Sequence, residues 1–125
     1  MEIPIIHTKT YKVLVFSGSA LLILMAVFHA SGINYVTEIV MESNADDLIK
    51  EIFPVLFLHT SLHLFGLAMF GLATLYLKTG YKNVLMVIAS LIVVSAFAAF
   101  YLNAVAPGIL LLVAASCFIL AVCKK

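Results

Sequence analysis

The sequence predicts an all-α integral membrane protein, a bundle of four transmembrane helices that forms one domain over residues 1–125. Two observations of composition predict this class. The chain is 65% hydrophobic and only 10% charged, whereas soluble domains have about 45–50% apolar and about 25% charged residues. Its charges fall into a few clusters, separated by uncharged stretches at 13–37, 52–77 and 83–123. These stretches are apolar on all sides, whereas the strands of a membrane β-barrel alternate polar and apolar residues.

The same composition excludes two other classes of protein. A disordered chain needs low hydrophobicity and high net charge, whereas this chain has a formal net charge of +1. Nucleic-acid binding needs clustered basic residues, and the sequence contains no arginine. We therefore expect this protein to be embedded in a lipid bilayer and not to bind nucleic acid.

The uncharged stretches set the number of helices. A helix needs about 20 apolar residues to cross the hydrocarbon core of a bilayer. The first two stretches therefore hold one helix each. The third is long enough for two, with a break at 103–108 where Pro107 suits the first turn of a new helix. The predicted spans lie near residues 13–33, 54–77, 84–104 and 107–123.

The segment between the first two spans, residues 34–53, is the only sizeable piece outside the membrane. Its apolar residues recur at helical spacing with acidic residues between them, a pattern typical of amphipathic helices. We expect two short helices lying on the outer surface. Ser43 or Asn44 would cap the second, with Asp46 and Asp47 in its first turn.

Lysines predict the orientation of the bundle. Six of the seven lysines fall on the side of the membrane that holds both termini: Lys9, Lys12, Lys78, Lys82, Lys124 and Lys125. Cytoplasmic loops carry an excess of basic residues. We therefore expect both termini in the cytoplasm and the protein in the inner membrane of a bacterium.

Three histidines lie inside the predicted spans, His29 in helix 1 and His59 and His63 in helix 2. Ionisable residues within a span are costly and are functional candidates by default. On a helical wheel, His59 and His63 share a face with Gly66, and His29 shares one with Gly32. Small residues line the contacts between membrane helices, so these faces predict one histidine cluster in the outer half of the membrane.

Such a cluster could bind a metal ion or a haem. Three imidazoles form an open metal site, and Met25, one turn from His29, would add a sulfur ligand that favours copper over zinc. In a haem b site, His29 and His63, or His59 in place of His63, would hold the iron while Gly32 and Gly66 make room for the porphyrin. Two other interpretations stay open. The histidines could relay protons or ions, or they could form hydrogen bonds between helices, to Ser95, Asn103 or backbone carbonyls.

The predicted function is therefore a small membrane protein whose histidine cluster binds a metal ion or haem for redox chemistry or metal handling. The alternative is a non-catalytic accessory or assembly subunit of a larger membrane complex, or a small ion or proton channel. A homo-oligomer is compatible with either function. No catalytic residue or substrate is predicted, because the spans contain no acidic residue and no motif of nucleophilic catalysis.

Overall fold

The computed structural model describes residues 8–124, and this part of the chain contains helices and no strand. The helices are α1 (Lys9–Ser31), α2 (Ile33–Glu42), α3 (Asp47–Ala73), α4 (Tyr81–Tyr101) and α5 (Val105–Cys123), with a 3-10 turn at Thr74–Tyr76 after α3. Four helical segments are long and apolar enough to cross a membrane: α1 continued by α2, α3 with its 3-10 turn, α4 and α5. The all-helical class and the four membrane-length apolar helices are thus confirmed.

The predicted break between the third and fourth spans is also confirmed. Helix α4 ends at Tyr101, and Asn103 adopts a left-handed backbone conformation with φ of 58°. Helix α5 then begins at Val105, which places Pro107 in its first turn. A proline is tolerated there because the first N–H groups of a helix have no intrahelical acceptor.

The segment between α1 and α3 differs from the prediction. Its first half forms α2 as expected, but its second half is the start of α3 and not a separate surface helix. The cap is Asp46, whose Oδ1 accepts a hydrogen bond from the Leu48 N–H at 2.9 Å. Ser43 instead donates its hydroxyl proton to the Val40 carbonyl at the end of α2. The charges at 46–51 mark the end of the apolar stretch, whereas the helix itself extends past them.

Helix α1 is central to the packing: α3 and α5 both pack against it, α4 packs against α5, and α3 and α4 touch each other little. At one end of the bundle, the buried Tyr11 hydroxyl donates to Thr74 Oγ1 at 3.1 Å. The Tyr11 ring also meets Tyr81 edge to face, with 5.2 Å between centroids. These contacts join the start of α1, the end of α3 and the start of α4.

Three helices meet around Phe118 of α5, which is fully buried. Its ring lies against Gly18 of α1 and Gly71 of α3. A Cβ atom on Gly71 would lie 2.8 Å from Ser19 Oγ, closer than real Cβ contacts, and 3.0 Å from the Phe118 ring, tighter than most of them. Glycine at these positions therefore permits the helices to approach, as small residues do in membrane bundles.

The charges of the described residues separate to the two ends of the bundle. We call one end the lysine end, defined by Lys9, Lys12, Lys78, Lys82 and Lys124. The opposite end carries Lys50 and every acidic residue of residues 8–124. These acidic residues are Glu38, Glu42, Asp46, Asp47 and Glu51. Lys125, which the prediction also placed with the lysines, lies outside the described residues.

Candidate functional site

His29 lies in the last turn of α1 and contacts α3. Its Nδ1 is 3.0 Å from Ser61 Oγ, at hydrogen-bond distance. Its ring stacks on Phe57, with 4.0 Å between ring centroids and 19° between ring planes. The imidazole is half-buried, so this histidine makes a polar and an aromatic contact between two neighbouring helices. The partner of the hydrogen bond is Ser61 and not Ser95 or Asn103.

His59 and His63 lie on the other side of α3. Both are exposed, whereas Ser61 between them is buried against α1. A step of two residues turns a helix by about 200°, so histidines at 59 and 63 face away from a helix that contacts residue 61. The stripe that packs inward is the one with buried Ser61, Leu64, Leu67, Ala68 and Gly71. The prediction that the histidine face of helix 2, which corresponds to α3, packs inward is therefore wrong.

The prediction that the histidine face of helix 1, which corresponds to α1, packs inward is right in part. Gly18 and Leu22 of that stripe are buried, and Met25 and Gly32 are half-buried. Gly32 lies beside Phe57, the ring on which His29 stacks. The histidine face of α1 thus contacts α3, but it meets a serine and a phenylalanine there instead of two more histidines.

The three histidines consequently do not converge. Within residues 8–124, no group of three or more His, Cys, Asp or Glu side chains is placed to hold a metal ion. His29 and His63 lie on opposite sides of α3, so they do not face each other across a space that a porphyrin could fill. This arrangement does not favour either predicted site. The metal site formed by three histidines with Met25 stays a prediction, and so does the haem site with a histidine on each side.

The structure instead brings His63 and Gly66 together in a cleft between α3 and α4. The cleft has a volume of about 600 Å³. It is lined by His63, Gly66, Leu67 and Phe70 of α3 and by Asn83, Val84, Val87, Ile88 and Leu91 of α4. It exists because the loop after the 3-10 turn joins the two helices at the lysine end, while along their length α3 and α4 touch little.

Inside this α3–α4 cleft, the His63 imidazole has no partner among the described residues. No group of residues 8–124 forms a hydrogen bond with it. A Cβ atom on Gly66, one turn further along α3, would meet nothing within 4 Å. The surface beside His63 is therefore open, and apart from the imidazole and Asn83 it consists of glycine and apolar side chains. Ligand pockets of about 300–1,000 Å³ have this mainly apolar lining with a few polar groups.

Sequence reasoning missed Ser61, Phe57 and the α4 side of the cleft. Ser61 carried a signal, because it lies on a stripe of small residues with Ala68 and Gly71, and such stripes mark helix contacts. The lining residues of α4 carried none, since Val84, Val87 and Leu91 are as apolar as residues that face lipid.

Comparison of the chain with models of known protein families, with curated proteins and with solved structures finds no match.

Proposed function

We propose that this protein binds a hydrophobic cofactor of the haem type in the α3–α4 cleft, with the His63 imidazole as the ligand of its metal, for redox chemistry or metal handling. The observation that carries the proposal is an imidazole that lies in an apolar cleft of ligand size and has no partner within residues 8–124. An unpaired polar group within a membrane span is costly, and a bound metal would offset that cost.

The composition of the cleft suits a flat, apolar molecule. Neutral imidazole is a common metal ligand, and a histidine on one side of the iron is a frequent mode of haem attachment. Gly66 leaves the surface one turn from His63 without a side chain. The other lining residues, Val87 and Leu91 among them, offer hydrophobic contact. These features support a porphyrin over a hydrated metal ion, which would need further polar ligands.

The proposed site uses one histidine and not two. His29 is on the far side of α3, where Ser61 and Phe57 already contact it. A haem in the cleft would therefore be held by one histidine of the described residues, His63. We accordingly assign His29 to helix packing and His63 to ligand binding.

Titration of the purified protein with haem in a neutral detergent tests this proposal. We expect a saturable Soret band at one haem per chain for the wild type. His63→Ala should weaken binding at least tenfold. His59→Ala is the matched control, since His59 is equally exposed one turn away on the same face of α3 but does not line the cleft. Absence of a Soret band in the wild type, or equal binding by the His63→Ala variant, would overturn the proposal.

A second candidate function, a subunit of a larger membrane complex or of a homo-oligomer, is favoured by a different observation. The most apolar windows of the four spans have only 28–33% of their residues buried within the chain. The remaining faces contact lipid or another protein. Mass measurement of the complex after mild solubilisation tests this candidate: particles containing a single chain would contradict it.

A further inference from the structure

We infer that the ligand of the α3–α4 cleft is an anionic amphiphile, with its acidic groups at the lysine end and its apolar body along the cleft towards His63. This inference rests on the proposed function and specifies the chemical class of the ligand. Three observations carry it: the direction of the cleft, the lysines near its mouth, and the polar residue Asn83 at that mouth.

The cleft runs along the bundle from the interior to the lysine end. On α4 its lining begins at Asn83 and ends at Leu91, eight residues or about 12 Å apart at the rise of an α-helix. On α3 the corresponding residues run from Phe70 back to His63. His63 is thus at the inner end of the cleft, and Asn83 is at the end where the loop joins α3 to α4.

The mouth of the cleft lies in the positively charged part of the molecule. Lys82 is the neighbour of Asn83 in the first turn of α4, and the contacts of Tyr11 with Thr74 and Tyr81 bring the lysine-bearing start of α1 to the same end. The acidic residues of the described chain all lie at the opposite end. Outside the described residues, the sequence contains one further acidic residue, Glu2. The potential at this mouth therefore favours a negative group.

Asn83 supplies a hydrogen-bond donor at that mouth. Its side chain is exposed and lines the cleft, and an amide NH₂ group can donate to a carboxylate oxygen. All the lining residues between Asn83 and His63 are glycine or apolar. A ligand complementary to this surface has an apolar body with an acidic edge and carries a metal that binds imidazole. A porphyrin with carboxylate side chains has these features, and its carboxylates can be esterified without changing the ring or the iron.

The test compares haem b with its dimethyl ester as ligands of the same protein in a neutral detergent. We expect the wild type to bind haem at least fivefold more tightly than the ester. Salt at 0.5 M should reduce this preference, because charges near the surface are screened. Lys82→Gln and Asn83→Leu should each reduce it as well. Lys50→Gln, which removes a lysine at the opposite end, is the matched control and should leave the preference unchanged.

The outcomes separate this inference from the proposed function. Equal affinity for haem and ester would overturn the anionic ligand while leaving haem binding at His63 in place. A preference that neither salt nor Lys82→Gln reduces would also overturn it, since the charge at the lysine end would not be its cause. Binding of neither compound would overturn both.

Discussion

The contact of three helices around Phe118 predicts that Gly71→Ala destabilises the bundle. The new Cβ would lie 2.8 Å from Ser19 Oγ and 3.0 Å from the Phe118 ring. Both neighbours are fully buried. The Phe118 ring has little room to retreat from a new methyl group, because it is fully buried between the helices. The substitution therefore forces two helices apart or a ring out of its preferred geometry.

The magnitude follows from a comparison with Gly66→Ala in the same helix. Replacing glycine by alanine inside a helix favours the helix by up to about 1 kcal/mol, and both substitutions receive this gain. Only residue 71 also suffers overpacking, which costs about 1–3 kcal/mol in a well-packed core. A Cβ on Gly66 meets nothing. We expect Gly71→Ala to be less stable than Gly66→Ala by about 1–3 kcal/mol.

Equilibrium unfolding in mixed micelles, with helicity and the folded fraction followed against denaturing detergent, measures this difference. Combining Gly71→Ala with Ser19→Ala removes the closest of the clashing atoms. The double variant should therefore recover part of the lost stability. A Gly71→Ala protein that is as stable as Gly66→Ala would refute the close approach of α1, α3 and α5 at Phe118.

Three further predictions concern other contacts and the orientation. Ser61→Ala should lose the hydrogen bond to His29 and about 0.6 kcal/mol of stability, the average for such bonds between membrane helices. Ser95→Ala, whose hydroxyl donates to its own helix, should change stability less, and equal losses would contradict the interhelical bond. Tyr11→Phe should cost about 0.6–1.7 kcal/mol in the same unfolding assay, and no measurable loss would argue against its hydroxyl joining α1 to α3. A cysteine introduced at Asn44 should react with a membrane-impermeant reagent from outside intact cells; reaction only after lysis would reverse the orientation.

The spans could be predicted from the sequence because crossing a membrane depends on local composition. The gaps between charges located all four, and Pro107 marked the last break. The ends of α3 were harder to predict. A helix can continue past the hydrocarbon core into water. The charged residues at 46–51 therefore mark where the apolar stretch begins, whereas the helix itself begins among them.

The site could be predicted only in part, because the inward face of a membrane helix carries little hydrophobic signal. Residues that face lipid and residues that face a neighbouring helix are both apolar. Helix α3 has two stripes of small or polar residues, one with His63 and Gly66, the other with Ser61 and Gly71. Sequence alone favoured the stripe with histidines. The buried stripe is the other one, and this difference turned a predicted cluster of three histidines into a cleft with one.

The helices differ in length, and this difference has a consequence for the surrounding bilayer. Helix α5 has 19 residues, which span about 28 Å, whereas α3 has 27 residues, about 40 Å. Helix α3 can therefore tilt and still reach both interfaces, while α5 just matches a hydrocarbon core of about 30 Å. A thicker, sterol-rich bilayer would strand the ends of α5 in hydrocarbon or thin locally around it. We expect the bundle to be less stable in bilayers with a hydrocarbon core thicker than about 30 Å, with α5 setting the limit.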